Sequence, residues 1–195
     1  MSHATTLFLP TKQASFVKDL AVALVASVAI GLCSQISIPL PFTPIPLTVQ
    51  NSLVLLLSVL LGSRRGGSAV FFFLLQGSLG LPVFAGAAGG FLTFFGPTGG
   101  YLLGYLAAAF LTGWLMERSE KKTVLTTCGA MAAGNLVIYT MGALYLSTFI
   151  GLKQALLLGV APFIVGDLFK IALSIKALQW MRPNRYTSRD SRIGF

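Results

Sequence analysis

The chain has 195 residues, of which 55% are hydrophobic and 10% charged, with a formal net charge of +9 and a mean hydropathy of +0.82. That composition excludes an ordinary soluble domain and indicates an integral membrane protein. The length suits about five or six spans of about 20 residues with short connections, so residues 1–195 are expected to form a single membrane domain.

The first predicted span runs from Leu20 to Ile38; it follows Lys18 and is long enough to cross a membrane, unlike the short apolar core of a cleaved leader. Next comes IPLPFTPIP, with Pro39, Pro41, Pro44 and Pro46, too dense in proline for helix and expected to form an extended or hairpin-like outer loop. A short second span covers Leu47 to Leu61 and ends before the Arg64-Arg65-Gly66-Gly67 turn. The third, Ser68 to Leu81, stops at Pro82 and gives way to VFAGAAGGFLTFFG. Irregular backbone this apolar is tolerated at membrane depth only where protein or a cavity covers it.

The fourth span starts at Pro97, a favoured first helical residue, and reaches Met116 before ERSEKK. Thr123 to Thr148 and Ala155 to Met181 complete six transmembrane helices, an all-α core over residues 14–181. The arginine-rich segment 182–195 reads as a basic cytoplasmic tail without fixed structure. No internal repeat is evident, which weighs against transporters built from inverted halves.

The basic residues follow the membrane and do not form a nucleic-acid stripe with interleaved aromatics. Lys12, Lys18, Arg64, Arg65, Arg118, Lys121, Lys122, Lys176, Arg182, Arg185, Arg189 and Arg192 fall at alternate ends of the apolar segments, leaving Lys153 on the other side and Lys170 within. The positive-inside rule then places both termini in the cytoplasm of a multi-pass cell-membrane protein, which requires an even number of spans.

Enzyme readings fail by absence. The single histidine is His3, and of the five acids Asp19, Glu117, Glu120 and Asp190 lie at the inner surface, so Asp167 lacks a second carboxylate for acid–base work. No histidine triad, imidazole metal site or GxxxxGK[ST] phosphate loop can be assembled, and no cofactor is implied. Cys33 and Cys128 lie in apolar segments and read as small buried thiols.

Asp167 and Lys170 stand apart, because they lie three residues apart inside the apolar stretch Ala161 to Leu178 and therefore on one helix face. An ionised group at mid-bilayer is disfavoured by about 2.5–3.5 kcal/mol or more, so the pair should face a cavity, a ligand or each other as a structural ion pair. Thr48, Gln50, Asn51, Gln76, Thr93, Thr98, Tyr101, Asn135 and Tyr139 complete a polar set in the outer half, suited to a small polar-headed ligand. Gln76 and Asn135 fit equally well as bonds between neighbouring helices. Gly100, Gly104 and Ala108 recur every fourth residue and mark close helix packing. Ala23, Ser27 and Gly31 form a second such stripe, suited to docking another helix within the protein or on a partner. Gly89, Gly90, Gly96 and Gly99 flank a helix start, where free N–H groups can receive a carboxylate or simply make a tight turn.

Five segments, IPLPFTPIPLTVQ (38–50), GSLGLPVFAGAAGG (77–90), GPTGGYLLGY (96–105), GNLVIYTMG (134–142) and APFIVGDLFK (161–170), resemble in order and spacing the BioY family of biotin transporters. These are substrate-binding S components of energy-coupling factor (ECF) transporters. The resemblance implies a six-helix membrane fold with an outward-opening biotin pocket, capped by the loops after the first and third spans. It assigns Asp167 and Lys170 to the ureido ring, with Gln50, Asn135, Gln76 and Tyr139 adding hydrogen bonds. The Gly89-Gly90 loop and the helix start through Thr98, Gly99 and Tyr101 would hold the valerate carboxylate, and Phe84, Phe91 and Phe94 would wall the sulfur ring. The glycine loop here carries Ala87-Ala88 at its middle, which leaves backbone contacts to that carboxylate. The resemblance also implies a membrane coupling protein and two ATPase subunits as partners, with Ala23, Ser27 and Gly31 as the expected docking face. The alternative is an S component or self-sufficient carrier for another small vitamin.

Overall fold

A computed structural model describes residues 12–181; the basic tail 182–195 and His3 lie outside the described residues. The first helix, α1 (Lys12–Ser34), ends four residues before the predicted limit, and the side chains of Ser34 and Gln35 both bond Gly31 O in its last turn. Ser34 Oγ donates to Gly31 O at 2.7 Å and also to Val83 O, and Gln35 Nε2 reaches Gly31 O at 3.3 Å. The proline-rich segment then forms an antiparallel hairpin, β1 (Ser37–Ile38) against β2 (Leu47–Thr48), pairing Ser37 with Thr48 and Ile38 with Leu47.

Helix α2 (Gln50–Ser78) is broken at Gly62, whose φ of 83° and ψ of 178° are non-helical. A Cβ at Gly66 would stand 2.9 Å from the Cα of Ser58, whereas eight residues of continuous helix span about 12 Å. The chain therefore turns back on itself at Gly62, as the Arg64-Arg65 turn predicts. Glu117 seals the turn by accepting from Ser63 N and Ser63 Oγ, both at 2.7 Å. Gly62→Ala forces an L residue into a glycine-only conformation beside that carboxylate, and should lower unfolding stability by about 1–3 kcal/mol. Thermal unfolding in detergent measures it, and an unchanged midpoint would contradict this turn.

Between α2 and the next helix, Phe84 N donates to Ala88 O at 3.0 Å, and two short 3-10 turns follow at Ala85–Ala87 and Phe91–Phe95. Helix α3 (Gly99–Arg118) and helix α4 (Val124–Ile150) share an extensive seam. Its small residues behave as predicted: Gly100 lies against Met141 and Tyr145, Gly104 against Ile138, and Ala108 is fully buried. Thr123 begins α4 with a capping box to Thr126.

The last predicted span is two helices, α5 (Leu152–Gly159) and α6 (Ala161–Met181), broken at Val160. Tyr101 explains the break, since its hydroxyl donates to Gly159 O at 2.8 Å and fills the space a side chain at Gly159 would need. Among the described residues five helical stretches are long and apolar enough to cross a membrane: 16–34, 50–78, 99–118, 124–150 and 152–180. The count is five where the sequence predicts six, and α2, although broken at Gly62, enters it once.

Candidate ligand-binding site

The hairpin and the glycine-rich loop meet above the start of α3 and enclose a cavity of about 560 Å³, within the roughly 300–1,000 Å³ usual for small-molecule pockets. Gln35 ties the two loops together. Its amide donates to Pro82 O and Phe84 O at 3.2 and 3.0 Å and accepts from Ala87 N at 3.0 Å. The floor and walls include Thr43, Ile45, Pro46, Thr48, Gln50, Phe84, Thr93, Thr98, Tyr101 and Tyr105. Phe84 is wedged edge-on between Phe73 and Phe94, at centroid distances of 5.4 and 5.7 Å.

A second, smaller space of about 30 Å³ adjoins it, lined by Asn51, Tyr139, Asp167 and Lys170. Ile45, Pro46, Thr48, Tyr101 and Tyr105 border both spaces and stand between them. Asp167 is 4% exposed and accepts from Asn51 Nδ2 at 2.6 Å, from the Tyr139 hydroxyl, and from Lys170 Nζ at 2.9 Å. Lys170 also donates to Thr48 O at 2.8 Å, and Asn51 Nδ2 donates to Asn135 Oδ1 at 2.8 Å. The charges predicted to need partners thus have them inside the protein, and the carboxylate is engaged on both oxygens.

Two buried polar atoms are left over. Gln50 Nε2 and Asn51 Oδ1 have no hydrogen-bond partner among the described residues. Gln50 lines the larger cavity and Asn51 the smaller. An orphaned buried donor or acceptor costs about 1–3 kcal/mol, so a ligand carrying one acceptor and one donor would relieve both. Lys170 has a third N–H without an acceptor among the described residues as well.

The predicted site residues divide. Asp167, Lys170, Tyr139 and Asn135 form one hydrogen-bonded cluster, while Gln50, Thr98, Tyr101 and Phe84 line the cavity. Gln76 instead donates to Ser27 Oγ at 3.0 Å and joins α1 to α2, so it packs helices and lines neither space. Gly90 N and Gly99 N are spent on Gly77 O and Gly96 O, at 2.7 and 2.9 Å, and offer a carboxylate no free donor. Side chains at Gly89 and Gly99 would collide with the carbonyls of Leu81 and Phe94, so these glycines serve close packing. Phe91 is 64% exposed and lies outside the cavity lining.

The docking stripe is likewise turned inward: Ala23 and Ser27 are at most 1% exposed and Gly31 packs on Val83. It seals α1 against the second arm of α2 and presents no continuous free face. Tyr105 and Gln35 were not among the predicted residues, and Asn51 was named only in the polar set, without an assigned ligand contact. Tyr105 follows Tyr101 by four positions, a spacing that places both on one face of α3 and was available in the sequence.

The BioY family model matches residues 3–185. The chain is 40% identical over 155 residues to "Biotin transporter BioY" of Rhizobium etli, covering 75% of this chain and 82% of that protein. It is 36% identical over 160 residues to "Probable biotin transporter BioY" of Pyrococcus horikoshii, covering 82% and 92%. Among solved structures, it matches the crystal structure of "the S-component for biotin from an ECF-type ABC transporter" with a TM-score of 0.79 and 28% identity, over 89% of this chain and 95% of that one. These matches and the apolar helices make it a multi-pass membrane protein. A family model spanning nearly the whole chain, together with relatives aligned over most of their length, establishes that the chain belongs to the BioY family.

Proposed function

We propose that the chain is the high-affinity substrate-binding subunit of an ECF-type biotin uptake system, a transporter component and not an enzyme, powered by partner ATPases through a membrane coupling protein. The observation that carries this reading is the buried Asp167–Lys170–Asn51 cluster, with its spare donor and acceptor, beside a lidded cavity of suitable size. Biotin's ureido ring presents two N–H groups and one carbonyl oxygen, which match Asn51 Oδ1 with Asp167 and the third N–H of Lys170. Its apolar bicycle and valerate chain suit the cavity between Phe84, Tyr101 and the glycine loop.

Seating the ring requires Ile45, Pro46 and Thr48 to give way, because they separate the two spaces. That movement would break the Lys170 bond to Thr48 O while the third N–H of Lys170 takes the ureido oxygen. Opening of the hairpin is thereby coupled to recognition at α6. The same reading has one membrane domain of six spans, counting α1, the two arms of α2, α3, α4 and the kinked α5–α6 pair. The basic ends of these spans support cytoplasmic termini.

Uptake of labelled biotin by a biotin-requiring host expressing this chain with a coupling module tests the function, and no accumulation above the empty host would overturn it. Gln50→Leu tests the lining. Removing the orphaned amide should raise stability of the empty protein by about 1 kcal/mol and weaken biotin binding by about tenfold. Thermal unfolding and equilibrium binding measure the two effects, which a purely structural Gln50 would not drive in opposite directions.

A further inference from the structure

At the end of the molecule opposite the cavity, α1 and the second arm of α2 diverge and leave a groove of about 390 Å³. Its walls are Phe16, Leu20, Phe72 and Phe110, and its mouth carries Arg64 and Arg65. Arg65 is neutralised by Asp19, with Nη2 and Nε 2.5 and 2.8 Å from the same carboxylate oxygen. Arg64 is exposed and makes no ion pair or hydrogen bond among the described residues. From Arg64 to Phe72 the groove extends about 12 Å along the helix, from the basic end into the apolar zone.

Phe110 also borders a second apolar groove of about 440 Å³, completed by Ser63, Leu111 and Trp114. Arg64, without an ion-pair partner among the described residues, thus stands at the mouth of one groove, and Phe110 divides that groove from a second, shallower one. A diacyl lipid has that shape, and a phosphate headgroup has the complementary charge. Arginine suits such a site because its planar fork can bind two phosphate oxygens. Basic pockets between helices at a membrane surface bind anionic headgroups.

We propose that this groove is a binding site for an anionic phospholipid, its phosphate on Arg64 and its chains on either side of Phe110. The lipid would complete the packing between α1 and α2 at the Gly62 turn and hold that end of the fold in register with the leaflet. A neutral zwitterionic lipid would fill the same channels without the net charge that Arg64 selects.

Native mass spectrometry of the full chain, released from nanodiscs of equal phosphatidylglycerol and phosphatidylcholine, reads the selection directly. The parent should retain phosphatidylglycerol about fivefold over phosphatidylcholine, the effect of one basic side chain at an anionic surface. Arg64→Gln should abolish the preference while biotin binding stays at the parental level, and Arg64→Lys should keep part of it. Equal retention of both lipids by the parent, or an undiminished preference in Arg64→Gln, would overturn the proposal. So would an Arg64→Gln variant that keeps its lipids yet no longer assembles with the coupling protein, because the groove would then be a protein-docking face.

Discussion

The Asp167→Asn variant is expected to bind biotin at least about 100-fold more weakly than the parent, a loss of about 3 kcal/mol. Asp167 accepts from Asn51, Tyr139 and Lys170 at once, and an amide can offer only one oxygen to those donors. Its N–H₂ would face at least one of them, and Lys170 would be left charged and mostly buried without an anion. Breaking such a pair costs about 3–5 kcal/mol, so reduced binding alone does not separate a ligand contact from a damaged fold.

The double variant Asp167→Asn/Lys170→Met makes that separation. Replacing a buried pair by uncharged groups of similar size is often neutral or stabilising, so the thermal midpoint should return to near the parent's. Biotin binding should stay lost, because the ureido group has neither its carboxylate acceptor nor its ammonium donor. Recovery of binding with recovery of stability would make the pair structural only.

Gly100→Val is the second large effect, an expected loss of about 3 kcal/mol in unfolding stability. A Cβ there would lie 2.7 Å from Met141 O and against the Tyr145 side chain, and a backbone carbonyl in the α3–α4 seam cannot move aside alone. The neighbouring Tyr101 lines the cavity and bonds Gly159, so separating α3 from α4 should also disturb the site. Gly129→Val supplies the contrast. Nothing lies within 4 Å of a Cβ at Gly129, and that variant should unfold within about 0.5 kcal/mol of the parent. Thermal unfolding in one detergent compares the two, and equal midpoints would contradict the seam described here.

Much of this architecture follows from features visible along the chain. Dense proline cannot continue a helix, so the 39–46 hairpin was legible, as was a reversal beside Arg64-Arg65. A charge pair three apart in an apolar stretch also identified α6 as the helix that carries the buried cluster. What was not legible depends on helix rotation. Gln76 and Asn51 are both amides on α2, yet one faces Ser27 of α1 and the other Asp167 of α6.

Apolar residues cover nearly every face of these helices, so hydrophobic periodicity, which orients helices in soluble proteins, carries little signal here. Glycines pose the same problem: Gly99 and Gly90 look alike to a free anion site and to a tight turn until their N–H partners are known. The small stripe at Ala23, Ser27 and Gly31 lies buried against the second arm of α2 and Val83 of the loop that follows it, a placement that its spacing alone does not distinguish from a face for a partner helix.

Equilibrium binding of labelled biotin to the purified chain, without coupling protein or ATPases and with a panel of unlabelled vitamins as competitors, tests the central claim most directly. The expected result is one biotin per chain with a dissociation constant of ~1 μM or lower, displaced by biotin and not by vitamins lacking a cyclic urea. Failure to bind biotin, or equal displacement by an unrelated vitamin, would contradict the assignment of this site.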